Sequence, residues 1–285
     1  MIPYEASREM KIGYDLSSPD RVYVLPPVLK EISGITERDE SSLVCVEDNR
    51  EIIFIYDINQ SRIISQYTVG GRGDFEGVAR VNNCLYILRS DGLLSEIINY
   101  ESVNYKKNIY STGVPWNDNE GLCYDPENNR LLIGPKEIPD KKSGEKSMRF
   151  IYGFRLDTKE LIQEPVLTFD LSCIEKFVLE KRIPLPLKSK KKKKGKKATC
   201  SIKFCISALG IHPLTGRLFV ISSRDKLLFV FNMNGNIEHI KNLDPKLCRQ
   251  AEGITFMKNG DMLISNEGKK KKNPPTIVRF NYMPD

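Results

Sequence analysis

A glutamate–glycine pair occurs three times in this chain, each time before a short apolar run. The three segments are GDFEGVA (73–79), NDNEGLC (117–123) and QAEGIT (250–255). Two further segments, EISGIT (31–36) and CISALGI (205–211), share the apolar pattern but lack the glutamate. Aligned on their small residue, the five segments are 43, 44, 87 and 45 residues apart. A period of roughly 40 to 50 residues is typical of the four-stranded blades of a β-propeller. The aligned small residues are Gly34, Gly77, Gly121, Ala208 and Gly253.

Each unit contains short runs of β-branched, aromatic and aliphatic residues, such as RLFVISS (217–223) and LLFVFNM (227–233). Polar turns such as NMNG (232–235) separate the runs, and helical periodicity is nearly absent. This pattern predicts antiparallel strands joined by tight turns. We therefore predict an all-β fold of four-stranded antiparallel blades.

The 87-residue spacing leaves the number of blades open. It is close to two periods, which would give a six-bladed propeller, but the gap contains only one set of strand-like runs. The rest is a Lys- and Pro-rich insertion at about 174–203, with room for one short helix. We predict a five-bladed β-propeller in a single domain, residues 1–285, with six blades as the alternative.

The last unit, which starts at Gly253, contains only three strand-like runs before the chain ends. The N-terminal segment RVYVLP (21–26) fits the role of its fourth strand. Such a pairing would close the ring and remove two exposed sheet edges. We predict that the N-terminal strand completes the last blade.

The net charge of +7 is concentrated in two lysine runs, within 188–197 and at 269–272. Without these lysines the rest of the chain is net acidic, and no helix-turn-helix, zinc-finger or RNP pattern is present, so specific nucleic-acid binding is not expected. Seven cysteines without a C-x-x-C motif and only two histidines argue against a zinc site. No apolar run is long enough to span a membrane. We expect a monomer.

Propeller geometry predicts where the polar residues gather. The loop before each inner strand and the loop between the second and third strands lie on the same face, and both are rich in charged residues here. By repeat position Glu76, Glu120 and Glu252 are equivalent, with serines in the other two blades. If neighbouring carboxylates lie about 6 Å apart, each pair repels by roughly 3 kcal/mol at an effective dielectric constant of about 20. Such a ring calls for a cation, and oxygen ligands without histidine favour Ca²⁺ or Mg²⁺.

Two sets of candidate residues follow. The candidate metal ligands are Glu76, Glu120, Glu252, Asp74 and Asp118. The candidate ligand-binding residues on the same face are Ser33, Ser207, Glu31, Arg89, Trp116, Lys136, Glu137, Arg224, Asn266 and Glu267. No catalytic residue is assigned, because no nucleophile elbow or phosphate-cradling loop is present.

A structural interpretation of the repeated glutamates stands beside this one. Each glutamate could accept main-chain N–H groups from the next blade and so hold the ring together. The glycine that follows would then permit close packing at the axis. The sequence leaves both interpretations open.

Several longer segments together resemble the SdiA-regulated family, the YjiK-like group of bacterial β-propellers. They include NEGLCYDPENNRLLIGPKE (119–137), ISALGIHPLTGRLFVISS (206–223) and QAEGITFMKNGDMLISNEG (250–268). The resemblance extends from about Leu25 to Tyr282 and departs from the family at the two lysine runs. It implies a propeller of the bacterial cell envelope, grouped with phytase-like proteins and linked to Ca²⁺. It also marks as family-motif positions Glu76, Glu120, Glu252, Lys136, Glu137, Asn266 and Glu267.

We therefore predict a non-catalytic propeller of the cell envelope or periplasm. It would bind Ca²⁺, and in addition a small anionic ligand or an envelope protein, on its acidic face. The alternative is a phytase-like, calcium-dependent phosphomonoester hydrolase, and a third hypothesis is an interaction scaffold without an ion. An N-terminal segment removed before numbering would supply an anchor. A cytoplasmic location is the alternative, since the cysteines are unpaired.

Overall fold

The computed structural model describes residues 12–136, 147–185, 202–269 and 273–284. They form five four-stranded antiparallel sheets arranged as the blades of a β-propeller. The five-bladed prediction is confirmed, and the six-bladed alternative is wrong.

Each blade has an inner strand at the axis and three further strands outside it. Blade 1 comprises β2 (Ile32–Asp39), β3 (Ser42–Glu47), β4 (Arg50–Asp57) and β5 (Arg62–Arg72). Blade 2 comprises β6 (Phe75–Val81), β7 (Cys84–Arg89), β8 (Leu93–Ile98) and β9 (Lys106–Ser111). Blade 3 comprises β10 (Asn119–Asp125), β11 (Arg130–Pro135), β12 (Met148–Arg155) and β13 (Leu167–Asp170). Blade 4 comprises β14 (Ala208–Ile211), β15 (Leu218–Ser222), β16 (Leu227–Phe231) and β17 (Ile237–Asn242). Blade 5 comprises β18 (Ala251–Phe256), β19 (Met262–Asn266), β20 (Thr276–Phe280) and β1 (Arg21–Val24).

The hydrophobic core is divided among the interfaces between neighbouring blades. Successive residues of a strand point to opposite faces of its sheet, so each blade supplies side chains to two clusters. On β6, for example, Val78 packs in the cluster between blades 1 and 2, whereas Ala79 packs in the cluster between blades 2 and 3. Each blade is thus buried on both faces, which explains the nearly continuous apolar runs in the sequence.

The inner strands approach each other closely at the axis, and glycines permit this. A Cβ atom placed on Gly77 would lie 2.6 Å from Leu122 Cβ in the next blade. One on Gly34 would lie 2.6 Å from the main-chain nitrogen of Val78, and one on Gly253 would lie 2.6 Å from the carbonyl oxygen of Ser33. These contacts confirm the close packing that the glycines suggested.

One α-helix occurs among the described residues, α1 (Leu171–Glu180), between blades 3 and 4. Asp170 caps its N-terminus by accepting a hydrogen bond from the Ser172 N–H (2.8 Å). Ile174 and Val178, one turn apart, are buried against the core between blades 3 and 4. The insertion predicted at about 174–203 thus begins within this helix. Most of its Lys-rich part lies outside the described residues.

The N-terminal strand closes the ring. β1 pairs antiparallel with β20, from Arg21 opposite Arg279 to Val24 opposite Thr276. Tyr23 and Leu25 are buried in the cluster between blades 5 and 1. The predicted closure is confirmed.

We expect that deletion of residues 1–25 prevents cooperative folding. The deletion exposes β20 and removes Tyr23 and Leu25 from the core, each worth about 1.5–3 kcal/mol when fully buried. Thermal unfolding followed by circular dichroism measures the effect. Deletion of residues 1–11 alone is the control, since it leaves every contact among the described residues intact. A soluble 26–285 fragment with a cooperative transition would show that β1 is dispensable.

Candidate functional site

The candidate residues gather on the face of the ring at which the inner strands begin, here called the upper face. On this face the start of each inner strand lies beside the end of the second strand of its blade. Phe75 pairs with Arg89, Asn119 with Pro135, and Ala251 with Asn266. The loops before the inner strands and the ends of the second strands are therefore neighbours.

Glu76, Glu120 and Glu252, here called the axial glutamates, each occupy a β-bulge. The pairing in blade 2 shifts from Phe75 opposite Arg89 to Gly77 opposite Leu88, which leaves Glu76 as the extra residue. The same shift leaves Glu120 and Glu252 unpaired in blades 3 and 5. A bulge redirects a side chain out of the regular alternation of the strand. The Glu-Gly pair thus combines a bulge residue with the glycine that allows close approach at the axis.

The axial glutamates interact electrostatically across the blades. Burial raises the pKa of Glu76, Glu120 and Glu252, each to about 8. Neighbouring carboxylates contribute to these raised pKa values: Glu120 acts on Glu76, Glu252 acts on Glu120, and Glu267 followed by Glu76 acts on Glu252. Three carboxyl groups from three different blades therefore share one region at the mouth of the axial channel.

Lys136, just after β11, supplies positive charge to this region. Its ammonium group donates a hydrogen bond to Glu120 Oε1, and its charge lowers the pKa of all three axial glutamates. Burial lowers the pKa of Lys136 itself, but the hydrogen bond and the charge of Glu120 outweigh burial and leave that pKa above its ordinary value. One ammonium group thus partly compensates three carboxyl groups.

The compensation is incomplete at Glu120. This residue is 5% exposed, and its Oε2 atom has no hydrogen-bond partner among the described residues. The side-chain oxygen of Asn119, which is fully buried, also has none. Buried acceptors without donors are unfavourable, so both oxygens are suited to a bound cation or donor.

Asp74 and Asp118 lie at the exposed edge of the same region. Asp118 has a positive φ of 63°, and its carbonyl oxygen accepts the main-chain N–H of Lys136 (2.9 Å). Asp74 raises the pKa of Glu76, and Asp118 raises the pKa of both Glu76 and Glu120. The two aspartates therefore lie on the solvent side of the axial glutamates, and their negative charge raises the pKa of these glutamates.

The serines at the equivalent positions hold blades together. The buried Ser207 hydroxyl donates to the carbonyl oxygen of Ala251 in blade 5 (3.1 Å). The carbonyl oxygen of Ser33, also buried, accepts from the Ser265 hydroxyl of blade 5 (2.9 Å). In the described part of the chain, no axial glutamate accepts a main-chain N–H from the next blade. A role in holding neighbouring blades together thus fits the two serine positions. The axial glutamates make no such contact in the described part of the chain.

A second group of acids, the rim cluster, lies beside the axial site and consists of Glu31, Asp48, Asp74 and Glu267. Burial, followed by the charges of Glu31, Glu47 and Asp74, raises the pKa of Asp48 to about 6. Burial, then Asp48 and Glu31, raises the pKa of Glu267. A hydrogen bond from Lys30 lowers the pKa of Glu31. The rim cluster connects to the axial site through the effect of Glu267 on Glu252.

Three candidate side chains make contacts away from the axial glutamates. Arg89 binds both carboxylate oxygens of Asp91 (2.9 and 2.6 Å), two residues further along its own turn. The Trp116 indole N–H donates to the Tyr152 hydroxyl (2.8 Å). Arg224 is exposed, with Nη1 at 3.8 Å from Cys205 Sγ.

Two candidates remain. Asn266 is 2% exposed, and neither polar atom of its amide has a hydrogen-bond partner among the described residues. Glu137 lies outside the described residues.

Sequence reasoning missed two residues of this face. The Asn119 amide donates to the carbonyl oxygens of Ser90 (3.0 Å) and Trp116 (2.8 Å), which fixes the loop before Glu120. The Gln250 side chain donates to Glu267. Both residues stand within two positions of a repeated glutamate, and this proximity was the available signal.

Neither a preformed metal site nor a membrane-spanning helix occurs in the described part of the chain. Residues 12–136, 147–185, 202–269 and 273–284 contain no group of three or more His, Cys, Asp or Glu side chains arranged to hold a metal ion. The helix described, α1, is too short to cross a membrane, and no other helix in these ranges could do so.

Comparison with known proteins identifies the family. The profile of the SdiA-regulated family matches residues 21–270. The chain belongs to the SdiA-regulated family. The match agrees with the resemblance seen in the sequence motifs. No curated protein is significantly similar in sequence.

Solved structures are similar in fold. Glutaminyl cyclase of Myxococcus xanthus matches with a TM-score of 0.58 and 14% identity, over 93% of this chain and 96% of that chain. A chain of the nidogen/laminin complex matches with a TM-score of 0.50 and 10% identity, over 83% and 72%. Luciferin-regenerating enzyme matches with a TM-score of 0.50 and 10% identity, over 93% and 95%. At these identities the similarity establishes the propeller fold alone.

The raised pKa values of the axial glutamates predict a pH-dependent stability. Each axial carboxyl group has a pKa of about 8 in the folded protein, compared with an ordinary value of 4.5. At every pH between these two values the folded protein therefore binds more protons than the unfolded chain. The unfolding free energy of the metal-free protein should therefore fall as pH rises from about 4.5 to about 8. Glu76→Gln/Glu120→Gln/Glu252→Gln should flatten this slope in urea unfolding across that range.

The matched control replaces three exposed glutamates of the same ring, Glu127, Glu164 and Glu180, with glutamine. It should retain the wild-type slope. An equal slope in the wild type and the axial triple variant would refute the shared, protonated site.

Proposed function

We propose that this chain is a non-catalytic binding propeller whose axial glutamates take up a cation. The observation that carries the proposal is the position of Glu76, Glu120 and Glu252, each at a β-bulge where the inner strand of its blade begins. The raised pKa values of all three support it. A region in which several carboxyl groups interact with the ammonium groups of Lys136 and Lys226 has a capacity for further positive charge. The unpartnered Oε2 of Glu120 gives that charge a direct partner.

The donor chemistry favours Ca²⁺ among metal ions. Carboxylate and amide oxygens are its usual protein ligands, and the side chains of the axial site described above supply such oxygens. The axial glutamates do not form a preorganised metal site, because no three acidic side chains among the described residues are grouped closely enough to hold an ion. The Lys136 ammonium is bound to Glu120 instead. A divalent cation at Glu120 would have to compete with this ammonium group and with the protons of the glutamates.

An organic ammonium ion is a second candidate ligand. The Lys136–Glu120 contact supports it, since this contact already places a primary ammonium group against an axial carboxylate. A free amine would compete for the same charge without needing the coordination geometry of a metal.

The phytase-like alternative gains less support. Such a hydrolase needs several ions held by clustered carboxylates, and the described residues show no such grouping. The activity of the glutaminyl cyclase is not extended to this chain, because 14% identity supports the fold only. The cell-envelope location and the monomeric state stay predictions.

Thermal unfolding with Ca²⁺, with EGTA and with methylamine tests the proposal. At a hundredfold excess over its dissociation constant, a ligand bound only by the folded state stabilises it by about 2.7 kcal/mol. We expect Ca²⁺ to raise the melting temperature of the wild type, increasingly so as pH rises through 8, and to leave the axial triple glutamine variant unchanged. A response to methylamine in place of Ca²⁺ would favour the organic ligand.

Lys136→Met should strengthen cation binding by about tenfold or more. Removing a unit charge about 6 Å from the ligand removes a repulsion of roughly 3 kcal/mol for a monovalent cation, and roughly twice that for Ca²⁺, at an effective dielectric constant of about 20. Lys30→Met is the matched control, because Lys30 is paired with Glu31 in the rim cluster. The proposal fails if neither cation stabilises the wild type or the Lys136→Met variant.

A further inference from the structure

The axial channel contains a cavity on the other side of the glycine contacts from the axial glutamates. Its volume is about 150 Å³, and all five inner strands line it, through their second halves or the residues just after them. A cavity of this size can hold a molecule about as large as benzene. Its polar lining residues are Thr36, Glu37, Arg80, Cys123, Tyr124 and Thr255.

Glu37 lines this cavity, and one oxygen of its carboxylate is buried and unsatisfied. Its side chain is 14% exposed, and its Oε1 atom is buried without a hydrogen-bond partner among the described residues. The main chain at Glu37 is fixed, since its N–H donates to Thr255 Oγ1 (3.2 Å). A molecule with an N–H donor in the cavity would give the Glu37 carboxylate a hydrogen-bond partner.

Arg80 brings a fixed guanidinium group to the same cavity. Its Nε donates to the carbonyl oxygen of Glu37 (2.9 Å) and its Nη1 donates to the carbonyl oxygen of Asn82 (2.9 Å). Its Nη2 lies 3.9 Å from Glu37 Oε2, beyond hydrogen-bonding distance. The carboxylate and the guanidinium therefore line one cavity, with opposite charges that are close but not joined by a hydrogen bond.

We propose that this cavity binds a small amide or α-amino acid, whose N–H group donates to Glu37 and whose carbonyl or carboxylate oxygen accepts from Arg80. The opposite charges of the two residues match a neutral or zwitterionic molecule. Carboxylate and carbonyl oxygens are the usual partners of a guanidinium group. The volume restricts the ligand to about six non-hydrogen atoms, by comparison with benzene.

Saturation-transfer NMR and titration calorimetry test the proposal with three probes at millimolar concentration: L-alanine, L-alaninamide and propionamide. At least one probe should bind the folded wild type. Glu37→Gln should weaken its binding about tenfold or more, since a hydrogen bond to a charged group is lost. Glu40→Gln is the matched control, because Glu40 is exposed on the same blade and does not line the cavity.

Two further variants complete the test. Thr36→Phe should abolish binding by filling the cavity, and it replaces Glu37→Gln if that variant fails to fold. The axial triple glutamine variant should bind the probe normally, since the axial glutamates do not line this cavity. The proposal is overturned if no probe binds the wild type, if folded Glu37→Gln binds the probe as tightly as the wild type, if folded Thr36→Phe still binds it, or if the axial triple variant abolishes binding.

Discussion

The close approach of the inner strands at the axis is the contact on which the rest of this structure depends. A Cβ atom on Gly34 or Gly253 would collide with the main chain of the neighbouring blade, and one on Gly77 would collide with Leu122. Because the strands meet at these glycines, the residues just before them are brought to the mouth of the channel. The same packing requirement thus closes the ring and gathers Glu76, Glu120 and Glu252 into one region.

Within that region, one repeat position has two different uses. Ser207 donates a hydrogen bond across a blade interface and stabilises the ring. The axial glutamates make no such contact in the described part of the chain, and their burial and mutual repulsion favour the protonated form. Lys136 offsets part of this cost, which makes it both an internal partner of Glu120 and a competitor for any cation that binds there.

The glycine contacts also separate the two ends of the channel. The upper end has several carboxyl groups beside the ammonium groups of Lys136 and Lys226, whereas the cavity beyond the contacts has the balanced charges of Glu37 and Arg80. The two ends therefore suit different ligands, a cation above and a neutral or zwitterionic molecule below. A propeller offers this separation because each inner strand crosses the full depth of the ring.

The sequence by itself determined the propeller fold, the strands of each blade and the closure by the N-terminal strand, and it favoured five blades over six. These features follow from short apolar runs separated by polar turns and from a repeat period, both of which are read directly along the chain. Only the tertiary structure decided which charges meet. Arg89 forms its hydrogen bonds with Asp91, two residues away. Glu120 instead accepts a hydrogen bond from Lys136, just after the next strand, and its pKa is raised by the charge of Glu252 in another blade. Asn119 was missed for the same reason. The physical cause is that the distances between side chains of different blades depend on ring closure and on the β-bulges. The spacing of residues along the chain does not contain these distances.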